Sequence, residues 1–362
     1  MFFKRRFDPV RGMEYMIDLL VRDIHTFVIE FKRLEVSRPL TLPKIINVPY
    51  VTESSRVHII IPLRAADVRY GIETVEEFWT NCVEVEDNSV LIFVFVYVRG
   101  EATTNEQGKD VFDIIRDLIK YKYPSSLMGV VTDKRISYYS INVDSPHFTQ
   151  FAVVDAVVMR DKLNPRLVLL GDSRMSLSTE FLNRVRMNTI KGVQVYFPIA
   201  FWLYKPNLSH EKKPYQKFRS ETGQFQHSHR TGHWDPHQYG QAAFYSTDYI
   251  AGRNKMKVQH IPDNTIDVLE MFLKEPPKIH VLRPMEPQLF ETYYEKKCTN
   301  ASLVAGEYGR CLRSRAEDLA YRSHLALIVV NSKAKISAAQ LGDLDHDDQK
   351  PENVDQIEPG MR

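Results

Sequence analysis

The feature that most constrains the fold is a nine-residue apolar run, Val90–Val98 (VLIFVFVYV), with no charge inside it. It falls far short of the roughly 20 residues a membrane-spanning helix needs. Its β-branched and aromatic content instead reads as a strand buried on both faces, the kind found at the centre of a parallel sheet. Around it the chain alternates. Val57–Leu63 is an apolar strand with a proline near its end, and Glu73–Val83 has helical spacing. Val111, Ile114, Ile115, Leu118 and Ile119 repeat as one face of a helix. Ser145-Pro146 reads as the start of a further helix running through Met159 to a stop at Asn164-Pro165, and Arg166–Leu170 as the next strand. Strands alternating with helices predict a largely parallel sheet covered on both faces. With 43% hydrophobic and 26% charged residues, the chain has enough apolar surface for a sizeable core.

The strand at Arg166–Leu170 runs into Gly171-Asp172-Ser173-Arg174. Ligands of open α/β sheets bind outside the carboxyl ends of the strands, so Asp172 is a candidate site residue. Ser178–Thr189 follows as a capped helix, on which Arg184 and Arg186 read as a solvated face. Val193–Ile199 reads as a strand, Gly240–Ile250 as an extended stretch, Ile266–Leu273 as a short helix, Ile279–Leu282 as a strand and Glu307–His324 as a helix. No phosphate loop and no nucleophile elbow occurs.

The ends and one insertion differ from this body. Residues 1–50 are extended and alternating, with Pro39, Pro43 and Pro49 marking a linker, so a main boundary is placed near residue 50. Residues 205–238 form a polar, histidine-bearing insertion, expected to be mobile. Its His227, His229, His233 and His237 lack the cysteines or helix that would fix a zinc site, so exposed loop imidazoles are the default. Residues 336–362 read as a disordered acidic tail. Net charge is only +2, which disfavours nucleic acid, but 340–362 holds seven acids against two bases, leaving a body of about +7 that suits an anionic ligand. The first residues carry no apolar signal segment. Asn207-Leu-Ser and Asn300-Ala-Ser are glycosylation sequons, Cys298 and Cys311 are close enough in sequence to close a loop, and Cys82 reads as a buried thiol.

Several segments together resemble the chondroitin synthase and chondroitin N-acetylgalactosaminyltransferase family. They are Phe7-Asp-Pro-Val-Arg-Gly-Met-Glu-Tyr15, Thr179-Glu-Phe-Leu-Asn-Arg-Val-Arg-Met-Asn-Thr-Ile190, Tyr196-Phe-Pro198, Thr231-Gly-His-Trp-Asp235 and Phe244-Tyr-Ser-Thr-Asp-Tyr249. The resemblance implies a glycosyltransferase-A-like, nucleotide-diphospho-sugar transferase fold over residues 51–335, a mixed sheet with helices on both faces. It implies work on a glycosaminoglycan of glucuronic acid and N-acetylgalactosamine in the Golgi lumen, and a spacing of Cys298 and Cys311 that matches a cysteine pair in relatives. Relatives of full length carry a signal-anchor and a first transferase-like domain, of which residues 1–50 would be the remnant.

Three positions depart from the family pattern. Active relatives hold a divalent cation, such as manganese, with Asp-x-Asp; here the triplet is Asp172-Ser173-Arg174. The Trp-Gly-x-Glu-Asp block that supplies a base corresponds to Ile261-Pro-Asp-Asn-Thr-Ile-Asp-Val268, with Asn264 and Thr265 at the acid positions. A late histidine ligand becomes Arg283, within His280-Val-Leu-Arg283-Pro284. The resemblance thus implies no metal cofactor, and a pocket in which Arg174 and Arg283, if they converge, grip a diphosphate in the metal's place. Asp172, Arg174, Arg184, Arg186, His233, Trp234, Asp235, His280 and Arg283 are the substrate-binding candidates. The expected role is a non-catalytic or weakly catalytic partner of an active chondroitin synthase, holding UDP-sugar or the anionic chondroitin chain. The alternative is an autonomous hexosyltransferase using manganese, with Asp172 and Asp263 or Asp267.

Overall fold

A computed structural model describes residues 2–8, 12–22, 28–39, 54–104, 108–122, 135–145, 148–160, 165–206, 208, 227–274, 279–296, 298 and 307–331. The acidic tail, most of the insertion, Pro146, and the sequon residues Asn207 and Asn300 lie outside the described residues. The chain divides into two compact units, Met1–Pro49 and Tyr50–Arg362.

The first unit is an antiparallel meander of β1 (Phe2–Asp8), β2 (Gly12–Arg22) and β3 (Ile29–Arg38). Arg33 forks onto Asp18 across the β2–β3 pair, at 2.6 and 3.0 Å, where Asp18 is buried. Every residue of β3 is exposed, including Phe31, Leu34 and Val36.

The second unit is built on a seven-stranded sheet among the described residues. Its strands, in spatial order, are β12 (His280–Leu282), β8 (Gln194–Tyr196), β11 (Ala242–Tyr245), β7 (Leu167–Leu170), β4 (Val57–Arg64), β5 (Ser89–Val98) and β6 (Ile136–Val143). β4 pairs in parallel with β5 and β7, β5 with β6, and β12 with β8. β11 alone runs antiparallel, wedged between β7 and β8, so the sheet is mixed. The apolar run at Val90–Val98 is β5, and its two faces feed two cores. Leu91, Phe93 and Phe95 join Ile59, Ile61 and Leu63 under α1 (Val68–Phe78), α2 (Asp113–Lys122) and α4 (Thr179–Asn188). Ile92, Val94 and Val96 join Ile60, Val168 and Leu170 under α3 (Gln150–Val158), α5 (Ser246–Val258) and α6 (Val268–Leu273). Phe93 and Phe95 are fully buried, each stabilising by roughly 2–3 kcal/mol through area removed from water.

Local chemistry sets the element ends. Ser178 caps α4, accepting from the Phe181 amide at 3.1 Å. The helix expected from Ser145 begins later, because Thr149 is the residue whose hydroxyl takes up a free amide, that of Ala152. The strand expected over Val193–Ile199 divides at Phe197-Pro198. β8 stays in the large sheet, while β9 (Ile199–Leu203) joins a second sheet, ordered β10 (Gly232–Trp234), β9 and β13 (Met285–Glu291). The stretch Gly240–Ile250 is not extended throughout: after Tyr245 it turns into α5. The helix expected over Glu307–His324 closes at Glu317 as α7 (Glu307–Glu317), and residues 322–331 are helical again.

Candidate functional site

The chain order of the sheet creates a switch point. From β4 it proceeds outward to β5 and β6 through α1 and α2 on one face, then returns through α3 on the other face to β7 on the opposite side of β4. The loops leaving β4 and β7 therefore diverge, opening the crevice where doubly wound sheets bind ligands. Asp67 follows β4 and Asp172 follows β7, so each strand delivers one acid to it.

Arg174 lies between them. Its Nη2 donates to Asp67 Oδ1, its Nη1 lies 3.5 Å from Asp172 Oδ1, and its backbone amide donates to that same oxygen at 2.9 Å. The guanidinium is sandwiched between the rings of Tyr70 at 4.6 Å and Tyr294 at 4.3 Å. Burial alone would lower its pKa, but Asp172 and Asp67 outweigh that and raise it, so the cation is permanent. Burial, with Asp67 adding to it and Arg174 opposing, holds the Asp172 carboxyl above its ordinary range. Behind this layer Glu291, the last residue of β13, is fully buried and accepts from Gln241 Nε2. Burial, together with Asp172, raises its pKa well above the usual carboxylate value.

A second polar cluster adjoins, built on Asp235 of the Thr231-Gly-His-Trp-Asp235 segment. Lys296 Nζ lies 3.3 Å from Asp235 Oδ2 and 2.6 Å from Asp318 Oδ2, and 3.8 Å from the centre of the Trp202 ring. Ser314 donates to Asp235, and His233 Nε2 meets Asp318 Oδ1 at 2.9 Å. Cys298 and Cys311 are joined, which fastens α7, the bearer of Ser314, beside the strand exit that carries Lys296. Asp235 and Asp318 are buried, so this segment acts as an internal brace. Trp234 is half-buried, edge-on to Phe201 and stacked on His227.

The histidines of the insertion do not converge. His227 stacks on Trp234, His229 meets Tyr321, and His233 stacks on Tyr204. Among the described residues no group of three or more His, Cys, Asp or Glu could hold a metal ion.

The remaining candidates fall apart spatially. Arg283 donates to the carbonyls of Pro236 at 2.8 Å and Gln238 at 2.7 Å, and lies over Tyr239. It follows β12, which is three strands from β7 in the sheet order. Of the two arginines considered from the sequence as a joint clamp, Arg174 is bound to Asp67 and Asp172 and Arg283 to the Pro236 and Gln238 carbonyls. His280 is exposed, 3.0 Å from Gln194 Oε1. Arg186 is not on a solvated face. It is 1% exposed, forks onto Asp87 at 3.0 and 2.9 Å, and also donates to Ser55, Asn88 and Asn183. Arg184 pairs with Glu180 at 2.9 Å and Glu286 at 3.4 Å.

Asn264 and Thr265 lie in an exposed turn before α6. Asp263 beside them is forked by Arg253 at 2.6 and 2.9 Å, and Asp267 caps α6 through the Glu270 amide. Sequence reasoning missed Asp67, although the strand-end rule applied to Asp172 applies equally to the end of β4. Tyr70, Tyr294, Glu291, Lys296 and Asp318 carried no local signal.

The chondroitin N-acetylgalactosaminyltransferase family pattern matches residues 5–325. The chain belongs to that family. Chondroitin sulfate synthase 2 of Mus musculus is 30% identical over 332 residues, covering 90% of this chain and 40% of the relative. Chondroitin sulfate glucuronyltransferase of Homo sapiens is 27% identical over 344 residues, 89% of this chain and 42% of the relative. The chain thus spans about two fifths of the length of these relatives. Among solved structures, the galactosyltransferase LgtC in complex with donor and acceptor sugar analogs matches at a TM-score of 0.33 and 7% identity, over 71% of this chain and 95% of that one. An inositol-1-phosphate CTP transferase from T. maritima matches at 0.32 and 9%, over 75% and 100%. The family assignment rests on the sequence match. In this member the guanidinium of Arg174 bridges the two acids of the crevice, Asp67 and Asp172.

Proposed function

We propose that this chain serves chondroitin chain polymerisation in the Golgi lumen as a non-catalytic or weakly catalytic partner of an active chondroitin synthase. The observation that carries the reading is Arg174, whose guanidinium satisfies Asp67 and Asp172 inside the crevice where a sugar nucleotide would be activated. Two supports stand beside it. The stretch matching the family's base block presents Asn264 and Thr265, neither of which takes a proton near neutral pH, while Asp263 is held by Arg253. The positive excess of the body, about +7 without the tail, suits a long anionic acceptor. In its partner role the chain would stabilise the active synthase or hold the growing polymer.

A purified-protein transfer assay with a chondroitin oligosaccharide and UDP-sugars tests this. The expected result is no turnover by the chain alone and longer products when it is added to an active synthase. Turnover by the chain alone that Asp172→Ala abolishes would overturn it. A second reading, an autonomous hexosyltransferase, is favoured by one observation: Asp267 is a buried carboxylate at the start of α6. That reading requires manganese-dependent turnover that Asp267→Asn removes.

A further inference from the structure

We propose that Arg174 is the resident cation of the crevice, a side chain standing between the carboxylates where a divalent ion would bind, and that this chain accordingly takes up no such ion there. The inference rests on the reading of the crevice as the family's donor site, but not on whether the chain turns over substrate. The geometry carries it. Asp67 and Asp172 come from the ends of two adjacent strands, β4 and β7, and without a cation between them two like charges would face each other in a half-buried cleft. Arg174 resolves this with one donor nitrogen toward each acid.

The guanidinium is also held by two rings, while its buried Nε has no hydrogen-bond partner. Tyr70 and Tyr294 cover its two faces, its own amide ties the Asp172 side chain, and its carbonyl accepts from the Thr292 amide at 3.2 Å. A divalent ion entering here would have to expel this side chain or sit against its charge. Beneath it lies Glu291, fully buried, with Oε2 lacking a hydrogen-bond partner. Taking the guanidinium away would leave the carboxylates of Asp67 and Asp172, oxygen donors of the kind that hard divalent cations select, with no cation between them. The two strand-end acids already have an occupant, the chain's own arginine.

Manganese alone is the probe, measured by calorimetry and by the loss of the free-ion paramagnetic resonance signal, on the full chain. The wild-type protein is expected to show no saturable binding in the crevice and no change of Tm with manganese. Arg174→Asp, which restores the acid at that position, is expected to bind at least about tenfold more tightly than wild type and to regain Tm when manganese is added. Arg174→Lys keeps a cation and is expected to stay manganese-silent. Saturable binding by the wild type that Asp172→Asn removes would overturn the proposal, and this arm stands even where Arg174→Asp fails to fold. A folded Arg174→Asp that gains no affinity would also overturn it. Neither outcome bears on the polymerisation assay, so failure here is separable from failure of the proposed function.

Discussion

Lys296 and Asp318 form an ion pair at 2.6 Å in which neither side chain is more than 4% exposed. A pair this deeply buried loses hydration on both sides, and it persists because Asp235, Ser314 and the Trp202 ring complete the ammonium's surroundings. It joins the strand exit after β13 to the end of α7, the two segments also linked by Cys298 and Cys311.

Lys296→Met is therefore expected to destabilise the second unit by about 3–5 kcal/mol, because two carboxylates stay buried without their cation. Combining it with Asp318→Asn should recover part of the loss, since one of those charges is removed. Urea unfolding of the three proteins measures both effects.

Two buried carboxyls are expected to give stability opposite pH slopes. For Asp235 burial opposes ionisation, but Lys296, Ser314 and the His237 amide outweigh it and lower its pKa. A depressed folded pKa contributes stability that is present above the unfolded value of about 3.9 and is lost as pH falls through the folded pKa. Asp235→Asn should remove that acid-limb contribution. Glu291 is the reverse case, its pKa raised by burial, so the stability it permits is full below about pH 4 and declines as pH rises. Glu291→Gln should flatten that decline and make the protein more stable at pH 7 than wild type. Thermal melts across pH 3–8 (about one unit apart) check both slopes.

Arg186 has a structural role on α4. Arg186→Lys keeps the charge but cannot reproduce the fork to Asp87 or reach Ser55, Asn88 and Asn183 together. A loss of about 2–3 kcal/mol is expected in chemical denaturation. Arg184→Lys, on the half-exposed side of the same helix, should change stability by less than about 0.5 kcal/mol.

Gly232 occupies the second position of Thr231-Gly-His-Trp-Asp235 because β10 approaches β9 too closely for a side chain. A Cβ there would lie 2.5 Å from the Phe201 ring and closer still to the Trp202 carbonyl, which is backbone and cannot swing aside. Gly232→Ala is expected to cost more than about 2 kcal/mol and to lower Tm by several degrees.

Much of the central architecture was legible from residue pattern. Runs such as Ile59–Ile61 and Leu91–Phe95 are apolar at consecutive positions, and only a strand covered on both faces buries every one of them. The cap at Ser178 was equally local, since a hydroxyl three residues before a free amide needs no distant partner. The division of Val193–Ile199 between two sheets was not legible, because it depends on β11 returning antiparallel between β7 and β8. The conversion of Ser246–Val258 into α5 follows from the same return, which places Tyr249 and Met256 against the α3 face.

At the site, the sequence by itself determined which charges are present: one acid after β7, an arginine two residues on, and no acid at Asn264 or Thr265. Residue identity decides which groups can titrate, so these residue choices are readable without coordinates. Only the tertiary structure decided what Arg174 does with its charge. Asp67 and Tyr70 lie more than a hundred residues before it, and Tyr294 more than a hundred after. A guanidinium's partners are set by which strand ends meet at the switch point, and no local pattern encodes that meeting.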